Sequence, residues 1–466
     1  MELVEIALWI IGILAFFVVT TFLLKKFAKA QTFYIGSMVK TTRFLPLLDK
    51  ISKHEKILNA FADIGLVLGF GAIAIDFLVG KKLRLIPRIL LFIASTAILF
   101  VLFNLSFSVL LSNPFIEQYN FFMSLGFGVM GFAGFMVVML AAYSEFVITS
   151  ALAGQKSCPG VAPLLPGVSL PNFPVTVPLH GWISLLIILL VHEGMHGALA
   201  RKARIKIKSA GLLLLGILPI GAFVEPDEEQ LKHTNERDQL RVFSAGPTAN
   251  LFCAVITGLF VFFVFPSIIT FSFLEYNNNI GSVAISSVDQ NINLCGRITP
   301  SPAFGKLEAG MIVKEINGIK VESANGWSAK IKEIGKNPYQ LTVQKDENSA
   351  AETIAITPDE MGYQGYSVED KLKTGAKFSQ AYVYFIFAIS FIYSFLFWFF
   401  LLNFLVAIAN FLPLEPFDGG KIAKALIVPY LGFWKASKEE KEKTLSKIFF
   451  WFVLALLILN AVPFFI

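Results

Sequence analysis

Eight stretches of this 466-residue chain are apolar and long enough to cross a bilayer, near 3–24, 57–79, 89–112, 119–148, 180–200, 243–268, 379–405 and 447–466. Inside hydrocarbon every backbone N–H and C=O must be satisfied by the chain itself, and runs of this length do so as helices. Composition agrees, with 55% hydrophobic and 15% charged residues, whereas soluble domains carry about a quarter charged residues. The fold class is therefore a polytopic α-helical membrane protein of about eight spans. The net charge of +6 belongs to cytoplasmic loops. No basic and aromatic cluster accompanies it, so nucleic acid is not expected as a partner.

Positive charge sets direction. Lys25, Lys26, Lys29, Lys40, Arg43, Lys50, Lys53 and Lys56 place loop 25–56 in the cytoplasm, and segments 201–208 and 435–447 follow by the same rule. The first span has Glu2 and Glu5 ahead of it and lysines behind it, which reads as an uncleaved anchor with its N-terminus outside. Parity then gives eight crossings with both ends outside. One place resists. Lys81, Lys82, Arg84 and Arg88 fall in a loop that parity puts outside, while 112–118 has no positive charge. Either 57–79 is not a true crossing, or 80–118 inserts as a frustrated hairpin.

Three regions are not simple spans. Residues 151–179 hold Pro159, Pro163, Pro166, Pro171, Pro174 and Pro178, too many for a helix. Residues 209–226 are apolar but interrupted by Gly211, Gly216, Pro219 and Gly221, which predicts a re-entrant, membrane-embedded element. Its backbone needs partners, so Gly211, Leu212, Leu213 and Leu214 are expected to offer a strand edge that binds an extended substrate. Residues 271–370 carry short apolar runs at 282–288, 312–316, 341–344 and 353–356 and one helical stretch at 327–334, the pattern of an inserted small α+β domain. Parity places it outside. Cys158 and Cys295 would both face that oxidising side, where a disulfide could form, and two free thiols are the preferred reading.

At the inner end of the span near 180–200 stands His192-Glu193-Gly194-Met195-His196. Histidines four apart share one helix face and can reach one metal ion. Glu193 lies about 100° round the helix, placed to act on a metal-activated water. Ionisable groups at membrane depth are expensive and usually functional. Chance expectation for the motif is roughly 0.004 per chain on independent positions; the plainer reading is a coincidental helix face with one satisfied histidine. Two imidazoles need a third protein ligand. His54, His180 and His233 lie in loops or at a span edge, away from that depth. Asp418 fits better, at the end of an uncharged span that Pro413 and Pro416 break. Its plainer role would be to cap the helix that follows.

His192-Glu193 with His196, Gly246-Pro247-Thr248-Ala249-Asn250 opening the next span, and Asn410, Pro413, Asp418 and Gly419 in that order resemble the site-2 protease family of intramembrane zinc metalloproteases. The resemblance covers about 160–466, and the proline-rich Ala162-Pro163-Leu164-Leu165-Pro166-Gly167-Val168 resembles the loop of archaeal and eukaryotic-type members. It implies one zinc per chain on His192, His196 and Asp418, Glu193 as general base, Asn410 as a substrate or oxyanion contact, and Asn250 lining the same core, as a substrate contact or as helix packing. Implied partners are single-span membrane protein substrates. The inserted domain resembles a PDZ domain through Ser301-Pro302-Ala303, Leu307-Glu308-Ala309-Gly310-Met311-Ile312 and Glu315-Ile316-Asn317-Gly318, with Met311 where such domains commonly have Asp. Peptide or protein segments are its expected ligands.

The expected division is an N-terminal transmembrane region 1–150, an extracytoplasmic proline-rich loop 151–179, catalytic membrane halves 180–270 and 371–466, and the PDZ-like extracytoplasmic domain 271–370 between them. The active site would lie near the cytoplasmic side of a multi-pass cell-membrane protein. Two rivals use the same residues. One is an ion-coupled transporter, for which inverted repeats would speak; the one internal likeness, between 65–80 and 125–142, is faint. The other is a catalytically silent binding protein, against which Glu193 argues.

Overall fold

Hydrocarbon-like runs fold as helices throughout the computed structural model, which describes residues 3–33, 36–110, 114–170, 172–295, 297–346, 349–359 and 362–465. In chain order the helices are α1 (Leu3–Ala28), α2 (Leu45–Ser52), α3 (Glu55–Leu78), α4 (Leu85–Leu110), α5 (Pro114–Leu152), α6 (Gly181–Lys202), α7 (Glu228–His233), α8 (Glu236–Leu259), α9 (Phe265–Ser272), α10 (Leu274–Asn278), α11 (Ala324–Ile334), α12 (Gln380–Asn410), α13 (Asp418–Ile427) and α14 (Lys438–Ala461). Among the described residues, seven helical segments are long and apolar enough to cross a membrane, formed by α3, α4, α5, α6, α8 with α9, α12 and α14. The expected span near 3–24 lies in α1.

Two of those helices are broken at glycine. In α3 the break is Phe70–Gly71, with Gly71 at φ 52° and ψ −137°. In α5 it is Met130–Gly131, with Gly131 at φ 54° and ψ −146°. That left-handed φ suits glycine, and the turn it makes is sharp. Helix α5 folds back on itself: the Tyr119 hydroxyl bonds the Glu145 carboxylate, 26 residues on. In a straight helix those residues would stand about 39 Å apart. The two breaks meet backbone to backbone. A Cβ on Gly71 would lie 2.7 Å from Gly131 N, and one on Gly131 would lie 2.2 Å from Leu68 O. The chain on both sides of the α3 break stays near the start of α8, since Asp63, ahead of it, pairs with Arg237 and Arg241 while Lys81, just past the helix, acts on the neighbouring Glu236 carboxylate. The faintly alike stretches 65–80 and 125–142 are thus the two that carry the crossing.

Arg88 of α4 donates two hydrogen bonds to the buried Asp76 of α3, at 2.7 and 2.6 Å, and Tyr430 beyond α13 donates a third. The basic group near 80–88 therefore sits beside the chain that leads into 435–447.

The interrupted segment 209–226 forms a hairpin of β3 (Ile207–Leu215) and β4 (Leu218–Pro226), turning at Gly216. It joins β1 (Gln31–Phe33) and β2 (Gly36–Thr41) in the order β1-β2-β3-β4. The expected edge at Gly211, Leu212, Leu213 and Leu214 is corrected here. Leu212 pairs with Val39 on one side and Ala222 on the other, so β3 is an interior strand and its backbone is taken. Among the described residues the outermost strand on this side is β4.

The inserted domain contains β5 (Ile280–Val288), β6 (Asn291–Leu294), β7 (Arg297–Pro300), β8 (Ile312–Ile316), β9 (Ile319–Lys320), β10 (Tyr339–Gln344), β11 (Glu352–Ile356) and β12 (Tyr366–Leu372). Its main sheet runs β11-β10-β8-β5-β12 around a core of Val283, Ile285, Val313, Leu341 and Ile356. Helix α11 lies against β12, where Trp327 Nε1 donates to the Tyr366 hydroxyl at 3.3 Å. Cys295, between β6 and β7, is joined to Cys158 of the proline-rich loop by a disulfide, which corrects the free-thiol reading. Their separation of 137 residues hides the proximity in sequence.

Candidate metal centre

Helix α6 carries the two histidines in its C-terminal half, where Arg201 and Lys202 occupy the last turn and suit the negative helix terminus. Spacing puts both rings on one face, and their Nε2 atoms stand 3.1 Å apart. Asp418 Oδ2 lies 3.2 Å from His192 Nε2 and 3.1 Å from His196 Nε2. Three donor atoms thus form a near-equilateral triangle. Tetrahedral zinc with bonds of about 2.0–2.1 Å has ligand atoms about 3.3–3.4 Å apart, so the donor set and its spacing fit one such ion. Glu193 stands at the rim of this triangle, its Oε2 accepting the Val224 N–H of β4 at 3.0 Å.

Helix α8 orients the rings. Val242, Gly246 and Asn250 fall four apart along the face that meets α6. His196 Nδ1 donates to the Val242 carbonyl at 2.6 Å, which leaves Nε2 free. Asn250, fully buried, stands 2.9 Å from His192 Nδ1. Between them Gly246 comes so close that a Cβ there would lie 2.4 Å from His196 Nε2 and 2.6 Å from His192 Nε2.

Asp418 reaches the cluster through a broken helix end. Helix α12 stops at Asn410, Pro413 and Pro416 prevent its continuation, and α13 begins at Asp418 itself. The turn is closed by Gly419, where a Cβ would lie 2.3 Å from the Phe411 and Leu412 carbonyl oxygens. Phe411, fully buried, meets Phe70 edge-on and stacks on Phe132. Those two rings flank the crossing of α3 and α5, so the N-terminal helices seat the loop that aims Asp418.

The structure brings His192, Glu193, His196, Asp418 and Asn250 together. Asn410 stands apart: its amide donates to Val406 O at 2.9 Å within its own helix, and among the described residues it makes no hydrogen bond to the cluster. Gly211, Leu212, Leu213 and Leu214 lie on β3, whose neighbour β4 carries the Val224 N–H bonded to Glu193. Sequence reasoning missed Val242 and the packing part of Gly246. The four-residue spacing of Val242, Gly246 and Asn250 was the available signal, one stripe of carbonyl, gap and amide opposite two histidines.

A histidine pair and a carboxylate converging between long apolar helices, with a second carboxylate beside them, define a polytopic membrane protein built around a cluster that could hold a metal ion. Residues 180–456 match peptidase family M50, and the chain belongs to that family, the site-2 protease family. It is 29% identical over 269 residues to an uncharacterized protein of Methanocaldococcus jannaschii, covering 58% of this chain and 60% of that one. It is 25% identical over 198 residues to an Arabidopsis thaliana protein named membrane-bound transcription factor site-2 protease homolog, covering 41% of this chain and 36% of that one. The chain therefore spans less than two thirds of the length of either relative.

Proposed function

We propose that this protein is an intramembrane zinc metalloprotease that cuts single-span membrane proteins within or near their transmembrane segments. The observation that carries the reading is the triangle of His192 Nε2, His196 Nε2 and Asp418 Oδ2 with Glu193 at its rim. His192, His196 and Asp418 would hold one zinc ion, which when bound acts as a Lewis acid and lowers the pKa of water toward about 7. Glu193 takes the proton of the attacking water on its carboxylate and delivers it to the leaving amine. Asn410 contributes if its amide turns from Val406 toward the substrate carbonyl.

The substrate must be extended at the cut, because a helix hides its peptide bonds. The free edge of β4 supplies the partner. Val224 N–H points away from β3 toward Glu193, so by strand alternation Ala222 N–H points the same way. A substrate strand laid along β4 is thereby led past the general base.

We further propose six crossings, by α1, α4, α6, α8 with α9, α12 and α14, with α3 and α5 as re-entrant hairpins from opposite faces. This assignment puts Lys81, Lys82, Arg84 and Arg88 in the cytoplasm with the other basic loops. The disulfide supports an outer, oxidising location for the proline-rich loop and for 271–370. That domain, read as PDZ-like, would take peptide segments at the free edge of β12 beside α11.

Metal analysis and cleavage of a single-span substrate test the function. Wild type is expected to hold one zinc per chain, and Glu193→Gln to keep the metal and fold while losing at least about 10²–10⁴-fold in turnover. Near-normal cleavage by that variant would remove Glu193 from the chemistry. For orientation, Asn325→Cys should react with an impermeant thiol reagent on sealed cells; reaction only after permeabilisation would invert the topology.

A further inference from the structure

Asn250 is fully buried, and its two amide atoms have different surroundings. Nδ2 stands 2.9 Å from His192 Nδ1, while Oδ1 has no hydrogen-bond partner. His192 meets its neighbours through the other nitrogen: Nε2 lies 3.1 Å from His196 Nε2 and 3.2 Å from Asp418 Oδ2. For Nε2 to offer a lone pair to a cation, the neutral ring must carry its proton on Nδ1. That N–H then needs an acceptor, and the amide facing it presents a donor. A half-turn of the Asn250 side-chain amide exchanges its oxygen and nitrogen within the same outline. The unpartnered oxygen then becomes the acceptor that the ring requires.

We infer that Asn250 is the positioning residue for His192: its Oδ1 accepts the Nδ1 proton, fixes the tautomer and ring plane, and frees Nε2 for the metal. The inference rests on the zinc reading of the site. It replaces a substrate-contact role, since a fully buried side chain behind the ring does not face an open cleft. Helix α8 then orients both imidazoles, His196 with the Val242 carbonyl and His192 with the Asn250 amide, one turn to either side of Gly246. The two acceptors differ in kind. A backbone carbonyl survives any substitution at 242, whereas the amide oxygen is removed by one mutation.

The test is metal binding by the full-length, metal-stripped protein in detergent, using Zn²⁺ in chelator competition and Co²⁺ for its visible spectrum. Asn250→Leu keeps the bulk and removes the acceptor, and Asn250→Asp restores an acceptor oxygen. The leucine variant is expected to bind zinc about 10–100-fold more weakly with an altered Co²⁺ spectrum, and the aspartate variant to return to within about threefold of wild type. A leucine variant with wild-type affinity overturns the inference. So does a folded aspartate variant as weak as the leucine one. If the aspartate variant is not recovered folded, the leucine variant decides alone, and wild-type affinity with a wild-type Co²⁺ spectrum overturns the assignment. Wild-type protein that binds no zinc would sink the zinc reading itself. Zinc lost in His192→Ala but kept in Asn250→Leu sinks only the role of Asn250.

Discussion

Two places in this molecule depend on a missing Cβ, and they use it for different ends. At Gly246 a helix backbone approaches two imidazoles, with space for no substituent above their Nε2 atoms. At Gly71 and Gly131 two broken helices approach each other, backbone on backbone, far along the chain from the histidines. The first contact leaves the donor atoms of the histidine cluster uncovered. The second exists so that two apolar helices can reverse direction while their polar backbone groups stay packed in protein. Close approach alone therefore says nothing about chemistry; what lies across the gap decides it.

The comparison breaks if both glycines behave alike under substitution. Of the glycine and strand-edge variants, Gly246→Ala should give the largest loss of activity. A methyl group against both rings must displace them, and turnover should fall about 10²-fold or more with zinc content reduced, while the fold is retained. Measured zinc per chain near one with normal turnover would show that the rings can yield. Gly131→Ala should do the opposite. Its methyl group meets Leu68 O and its φ is left-handed, so stability should drop by about 1–3 kcal/mol or more. The molecules that remain folded should keep their zinc, which thermal unfolding and metal analysis on one sample would check. The smallest effect is expected on the strand edge. Ala222→Pro removes one outward N–H from β4, and loss of a bond worth about 1 kcal/mol should slow cleavage roughly fivefold with zinc unchanged. Unaltered cleavage would leave β4 without a substrate to pair.

Much of the architecture was legible because it is local. Helix periodicity alone puts His192 and His196 on one face, and the apolar runs mark every long helix. In the inserted domain, runs at 282–288, 312–316, 341–344 and 353–356 fall within β5, β8, β10 and β11, and 327–334 within α11. The remainder is set by contacts distant in sequence. Strand β2 lies some 170 residues before the strand it covers, so Leu212 read as an edge when it is interior. Glycine in an apolar span looks like ordinary small-residue packing, so neither Gly71 nor Gly131 announced a reversal. Their partner is each other, and no local pattern records that. Asn250 showed its type and depth in the sequence, while its facing nitrogen on His192, 58 residues earlier, needed the fold.

The bond between Cys158 and Cys295 turns part of the chain into a covalent ring with two tails. Both histidines, Glu193, Gly246 and Asn250 lie on the ring, and Asp418 lies on the C-terminal tail. A single peptide-bond scission between 159 and 294 therefore leaves one covalent molecule, visible as two fragments only after a reductant is added. A scission between 296 and 417 frees the piece that carries Asp418 at once. The histidines and the aspartate of one triangle thus belong to different parts of the chain's covalent graph, and an intact run of backbone across the inserted domain is what keeps them in one molecule.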